Sequence, residues 1–308
     1  MSTGKKRPIQ RIACVGEVMI ELIARADGTA RLGVAGDTYN TAAYLARALK
    51  GQNARVSYVT ALGSDPYSDR IFQALSAHNL DTSFVERRAR EMPGLYAIDT
   101  DDQGERSFSY WRSVSAARTL FSRPCAVELE QLAGFDLVFA SGISLAILPA
   151  DIRDRFIAFV DAFRTNGGTF AYDSNHRENL WASREDARDV NMRMWSRADI
   201  AMPSLDDEML LFGDQDSAAV RARLAGVGAT TGALKQGAQG PMDLSTGETH
   251  APSGPPIKVV DSTAAGDSFN AGYMAALVSG KSAPQALLEG HNLAAHVVQH
   301  PGAIIAED

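Results

Sequence analysis

The sequence predicts an α/β protein: a mainly parallel sheet covered by helices on both faces, with a small second sheet beside it. Three observations carry this. Short apolar runs alternate with stretches of helical periodicity along most of the chain, and strands separated by helices of that length pair in parallel. Two segments break the alternation. Each reads as strand, turn and strand with no crossover helix behind it, and together they make a small separate sheet. Finally, 308 residues suffice for one large core and a small extra piece, but not for several large domains.

The first element is "IACVGE", a buried strand. "ELIARADGTARLGV" is the first hairpin, turning at Asp27 and Gly28. "DTYNTAAYLARAL" sets apolar and small residues at helical spacing, with Gly36 and Asp37 as its cap. "ARVSYVTALG" is a strand, and "DPYSDRIFQALSAHNL" a helix with Pro66 in its first turn. "GLYAIDTDDQGERSFSYWR" is the second hairpin, turning through Asp101, Asp102, Gln103 and Gly104. "DLVFASG", "LPADIRDRFIAFVDAFRTNG", "GTFAYDSN", "DVNMRMWSRA" and "DIAMPS" then repeat strand, helix, strand, helix, strand. Helices at 205–213 and 216–226 precede the strand "TTGALKQG". "HAPSGPPIKVVD", with three prolines, is a stiff loop, and helices at 265–280 and 283–298 end the chain.

Composition excludes several functions. With 45% apolar and 22% charged residues, the chain is an ordinary globular protein. No run approaches ~18 apolar residues, so no membrane span is expected. Basic residues precede the first apolar run, but that run is short, holds Gly16 and Glu17 and lacks a cleavage-like site, so it is a strand and not a signal peptide. A net charge of −7 argues against nucleic acid as a partner. Cys14 and Cys125 form no metal-type cluster and suit reduced thiols in the cytoplasm.

The chemistry concentrates in "STAAGDSFNAGY", residues 262 to 273. Backbone N–H groups at a helix start lack intrahelical partners, and small side chains let a phosphate approach them. Ala264, Ala265 and Gly266 therefore read as an anion-binding turn. A carboxylate there would repel phosphate, so Asp267 makes sense as the base for a hydroxyl that attacks it. The plain alternative is helix capping by Asp267 or Thr263. "GKS" at 280–282 is no P-loop, because it ends a helix and Ala275 stands where the motif needs glycine. "GVGATTG" precedes a strand, so it is no dinucleotide fingerprint, and no His-Glu-X-X-His or paired-cysteine spacing suggests zinc.

"VVDSTAAGDSFNAGY" resembles the C-terminal signature of the ribokinase, or PfkB, family of carbohydrate kinases. "GVAGDTYNTAAYLARAL" resembles that family's sugar-holding helix start, and "LKQGAQG" its strand and turn beside the nucleotide. "GEVMIEL", "PGLYAI", "YWRSVSAA", "DSNHRENLW", "PSLDDEMLLFG" and "HVVQHPGAII" resemble the 2-keto-3-deoxygluconate kinase subgroup. The resemblance implies a ribokinase-like three-layer sandwich over residues 11–304, with a β-sheet lid from hairpins at about 17–35 and 94–113. It implies transfer of the γ-phosphoryl of MgATP to the C6 hydroxyl of that sugar acid. ATP and Mg²⁺ follow, with room for a monovalent cation. Partners are the sugar acid and ATP, and the sheet edges of the lid suggest a homo-oligomer. Two other readings stay open: a sibling kinase for fructose or ribose, and a sugar-sensing protein on a dead kinase scaffold.

The resemblance also implies roles. Asp267 is the base, and Ala264, Ala265 and Gly266 form the anion hole with its amide. Gly36, Asp37 and Asn40 line the sugar pocket, and Tyr96, Tyr110 and Arg112 meet the sugar from the lid. Arg177 sits between sugar and phosphate, with Asn175 on the nucleotide side. Lys235, Gly237, Gly240 and Asn292 border the nucleotide, and Asp207 reaches magnesium through water. Bland alternatives stand beside these. Tyr96 and Tyr110 could pack the hairpin, Arg112 could lie on a lid edge, Arg177 could cap a strand end, and the Lys235 side chain could point away. His176, His291 and His296 read as structural, and Met192, Met194 and Trp195 as core. The chain departs from the family pattern in three places. Ser204 and Asp207, with Glu208 alongside, replace Asn-x-x-Glu; Glu21 replaces an Asp that meets sugar hydroxyls; and the anion turn opens Ala-Ala-Gly, which requires negative φ at the alanines.

Overall fold

The computed structural model of the protein describes residues 6–25, 27–100, 106–250 and 257–306. The turn expected through Asp101, Asp102, Gln103 and Gly104 lies outside them, as do Pro252, Pro255 and Pro256 of the stiff loop. In chain order the elements are β1 (Arg11–Val15), β2 (Met19–Ala24), β3 (Ala30–Ala35), α1 (Asp37–Ala48), β4 (Arg55–Leu62), α2 (Pro66–Ala77), β5 (Val85–Arg87), β6 (Leu95–Thr100) and β7 (Arg106–Trp111). There follow β8 (Leu137–Ser141), α3 (Gly142–Ile147), α4 (Ala150–Thr165), β9 (Thr169–Asp173), α5 (Arg184–Trp195), β10 (Ile200–Ala201), α6 (Leu205–Phe212) and α7 (Ser217–Gly226). The last are β11 (Ala233–Leu234), β12 (Met242–Asp243), α8 (Ala265–Val278) and α9 (Ala283–Val297).

Six strands form the main sheet in the order β10-β9-β8-β1-β4-β5, and each neighbouring pair is parallel. The central strand β1 shows why both faces carry helices. Ile12, Ala13, Cys14 and Val15 are all buried, and a strand sends alternate side chains to opposite faces. Ile12 and Cys14 pack in one cluster with Tyr39 and Leu45 of α1 and Phe269 and Tyr273 of α8. Ala13 and Val15 pack in another with Phe156 and Val160 of α4 and Met194 and Trp195 of α5. The result is three layers, as the resemblance implies.

Local chemistry sets the helix starts. At α2 the Asp65 carboxylate accepts from the amides of Tyr67 and Ser68 at 2.9 and 3.1 Å, ahead of Pro66 in the first turn. No side chain caps α1. Gly36 stands there because a Cβ would lie 2.4 Å from the Glu17 carbonyl oxygen.

The two hairpins join into one small sheet, in the order β3-β2-β6-β7. Pairing is antiparallel within each hairpin and parallel between β2 and β6. The register sets Gly33, Glu21, Tyr96 and Tyr110 in one row across it.

Several elements differ from the sequence reading. The helix expected from Asp189 starts at Arg184, with Ser183 Oγ accepting from the Asp186 amide at 3.0 Å. Its first turn, Arg184, Glu185 and Asp186, is polar, so apolar spacing does not register it. The strands expected at 199–204 and 230–237 shorten to β10 and β11. Pro203 cannot donate to a ladder, and a Cβ on Gly232 would lie 1.8 Å from the Ala201 carbonyl oxygen. β5 and α3, not anticipated, are too short to show a period. Among the described residues no helix is long and apolar enough to cross a membrane, and Cys14 and Cys125 are free thiols.

Candidate active site

A cavity of about 1500 Å³ opens where β9, the starts of α1 and α8, and the small sheet converge. It lies at the carboxyl end of a parallel strand, as ligand sites in such sheets do.

The start of α8 supplies its floor. The Ala265 amide donates to the Ser262 carbonyl at 3.1 Å, and Ser268 N–H to the Ala264 carbonyl at 2.9 Å. The amides of Ala264, Gly266 and Asp267 have no acceptor among the described residues, and of these three residues Gly266 and Asp267 line the cavity. Ala264, expected in the anion hole, stands apart from Ala265 and Gly266. It is buried, packs in the core and does not line the cavity, whereas Thr263 does. Ala264 holds φ −112°, and the described non-glycine residues with positive φ are Asn79, Phe121 and Asn175, so the alanines need no left-handed backbone. Asp261, which the sequence analysis did not single out, braces the turn. It accepts from Thr263 N–H and Oγ1 at 3.0 and 2.6 Å and from Gly302 N–H at 2.8 Å.

Asp267 is buried, and Asn40 Nδ2 donates to its Oδ2 at 2.8 Å. Burial, and next the charge of Asp37, hold its carboxyl well above the usual carboxylate range, against the Asn40 hydrogen bond. Asp37 accepts from Asn175 Nδ2 at 3.0 Å, which ties α1 to the end of β9. Asn175 makes that reach with φ +33°, a conformation asparagine tolerates better than most residues.

Lys235 also departs from its bland alternative. Its side chain turns into the cavity and donates to Asp173 Oδ2 at 2.5 Å and Asn270 Oδ1 at 3.2 Å. Asn270 Nδ2 donates to the same Asp173 oxygen at 2.6 Å. Neither partner was assigned from sequence, although Asp173 opens "DSNHR" and Asn270 lies within "STAAGDSFNAGY".

On the small sheet, Tyr96 stacks on Tyr110 with ring centroids 5.8 Å apart, and Phe108, not anticipated, lies 6.4 Å from each. Tyr110 and Arg112 both line the cavity, as strand alternation predicts. Arg112 is buried rather than on an edge. It donates to Glu17, as does Ser115 Oγ, and its Nε has no acceptor among the described residues. Glu21 does not line the cavity. It lies behind Tyr96, whose hydroxyl donates to Oε1 at 2.6 Å, so this glutamate braces a tyrosine instead of facing the space.

Arg177 lines the cavity, donates to the His176 carbonyl at 2.7 Å and lies 3.9 Å from Asp207. Ser204 and Asp207 line it too, and burial raises the Asp207 pKa while Arg177 lowers it. Glu208 is turned away and buried on Ser174 Oγ at 2.6 Å and Arg223 at 2.8 Å. No group of three or more metal-type ligands occurs among the described residues. Gly237 and Asn292 also line the cavity, as do Phe269, Val259 and Val298. Gly240 is buried and does not line it; its carbonyl accepts from Gln236 Nε2 at 3.2 Å. His291, read as structural, faces this space, and burial lowers its pKa.

The chain as a whole is similar to known proteins. The family model described as "pfkB family carbohydrate kinase" matches residues 9–308. The chain is similar to 2-dehydro-3-deoxygluconokinase of Escherichia coli K12, 42% identical over 304 residues, 97% of this chain and 98% of that one. It is similar at 28% identity to a fructokinase of Klebsiella pneumoniae, over 87% of this chain and 85% of that one. Among solved structures, a fructokinase double mutant of Vibrio cholerae O395, bound to fructose, ADP and potassium ion, superposes with a TM-score of 0.82. That pair shares 21% identity, covering 98% of this chain and 95% of that one.

Proposed function

We propose, on the premise that this chain belongs to the pfkB family of carbohydrate kinases, that it transfers the γ-phosphoryl of MgATP to the C6 hydroxyl of 2-keto-3-deoxygluconate, giving 2-keto-3-deoxy-6-phosphogluconate. The observation that carries the choice of sugar is the buried Arg112, with Nε lacking an acceptor among the described residues, in the wall of the cavity beside Tyr96 and Tyr110. A carboxylate needs such donors when it leaves water. The full-length likeness to 2-dehydro-3-deoxygluconokinase, against the weaker one to fructokinase, supports the same choice.

The kinase unit is residues 11–304, and the four-stranded sheet is its lid. Asn40 orients Asp267 beside the hydroxyl. The hydroxyl oxygen forms a bond to the γ-phosphorus, the bond from that phosphorus to the bridging oxygen of ADP breaks, and the proton passes to the Asp267 carboxylate. The amides of Gly266 and Asp267 receive the charge of the phosphoryl oxygens. ATP lies along the end containing Gly237 and Asn292. The acidic set suits a magnesium ion carried mostly by phosphates and water, with Asp207 reaching it through water. When bound, that ion neutralises phosphate charge. The exposed Trp111, Met92 and Val114 near the lid support a homo-oligomer, which sedimentation equilibrium reads. Two free thiols suit the cytoplasm.

The test is kcat/KM for 2-keto-3-deoxygluconate, fructose and ribose. The parent should prefer the acid. Arg112→Ala should raise KM for the acid about 10–150-fold, the loss of one charge-assisted hydrogen bond, and leave the neutral sugars little changed. Asp267→Asn should lower kcat at least about a hundredfold. A parent that prefers a neutral sugar assigns the sibling activity, and a parent that turns over none is a sugar-binding protein.

A further inference from the structure

Six carboxylates line the cavity, and three of them, Asp37, Asp173 and Asp267, belong to the starts of α1 and α8 and the end of β9. A transferring phosphoryl group adds negative charge to them, so the site needs a cation at that point. Lys235 is placed for it. A Cβ on Gly266 would lie 3.5 Å from Nζ, so the ammonium rests against the turn whose free amides face the cavity. The side chain is 11% exposed, shielded from the water that would weaken its charge. Asp173 and Asn270 take two of its N–H groups, and an ammonium has three.

We propose that Lys235 is a catalytic residue whose ammonium neutralises the phosphoryl oxygens in flight at Gly266, and that Asp173 and Asn270 are positioning residues that hold it there. Lys235 forms no covalent bond, and the proton still passes to Asp267. Asp173 is itself fixed by Asn270 Nδ2 and by the Asn175 amide at 3.0 Å, so the lysine is anchored from the core and not from the mobile end of a side chain. The inference rests on phosphoryl transfer as proposed above, but not on the choice of sugar.

The competing role is purely structural, with Lys235 present to neutralise the buried Asp173. Two variants separate these roles: Lys235→Met alone, and Lys235→Met with Asp173→Asn, which removes both charges and leaves no buried ion unpaired. Turnover is measured with whichever sugar the parent phosphorylates best, so a wrong sugar assignment shows in the parent and not in this comparison. Calorimetry gives MgADP affinity, and denaturation midpoints report folding. We expect kcat to fall about 10²–10³-fold in both, the loss of one oxyanion donor. MgADP affinity should change less than about threefold, because the missing contact is to the transferring group. Lys235→Arg should recover part of the turnover. A double variant within about tenfold of the parent overturns the proposal, since the lysine then serves only Asp173. A fall in MgADP affinity that matches the fall in turnover also overturns it. If the single variant does not fold, the double variant decides alone.

Discussion

Asp267 has a consequence that needs no substrate to observe. Its folded-state pKa is raised, first by burial and then by Asp37. A raised carboxyl pKa contributes stability fully present below the unfolded value and lost as pH rises through the folded one. Asp267→Asn cannot ionise. It should therefore be more stable than the parent at neutral pH, with the difference vanishing below about pH 4, near the ordinary aspartate value. Urea midpoints across that range check it, and equal midpoints at pH 7 would show the carboxylate to be well solvated. In the proposed reaction the same charges act on the base. Asp37→Asn removes a negative neighbour, so the base holds its proton less tightly. The acid limb of kcat/KM should shift to lower pH, and an unmoved limb would mean that Asp37 does not face the base. Other pairings at this scale were closed to sequence reading. Asn40 and Asp267 sit in local motifs and can be read singly, but Lys235 and Asp173 meet across 62 residues, and Arg112 and Glu17 across 95. Nothing in either local pattern names the partner.

The link from β1 to β2, Gly16 to Val18, is where the main sheet hands over to the small one. Glu17 sits there at 1% exposure, with Arg112 from the end of β7 and Ser115 donating to it. Gly94, just before β6, leaves the room: a Cβ there would lie 2.8 Å from Glu17 Oε1. Breaking a buried pair from one side costs about 3–5 kcal/mol, because the other charge stays buried. Arg112→Ala should therefore lose about that much stability as well as sugar affinity. Glu17→Gln added to Arg112→Ala should restore much of the stability and none of the affinity. Denaturation midpoints and KM, measured on both proteins, separate the two losses; a double variant no more stable than Arg112→Ala would show that Glu17 is otherwise compensated. Elements of ordinary length were legible for plain reasons: β1, β4, β8 and β9 are mostly apolar, and α2 and α4 carry clear periodicity. β5, α3 and β12 were not, because two to six residues show no period and tertiary pairing decides their state.

At the scale of the molecule, the two hairpins could be seen in the sequence as excursions, and their union in one sheet follows from having no other partner. The ladder that unites them could not be read. β2 and β6 run parallel, Ile20 opposite Leu95, with α1, β4 and α2 between them in the chain. A parallel pair of that separation closes a long loop, and its entropy must be met before the ladder forms. β1, β4 and α1 between them can settle first, so the small sheet assembles late. In refolding from denaturant, the far-ultraviolet helical signal should recover before turnover does; recovery at one common rate would mean that the sheet forms with the core. The floor of the cavity, built from α8 and β9, would exist before its roof. On that order of events, a newly made chain completes the proposed nucleotide site before the proposed sugar site.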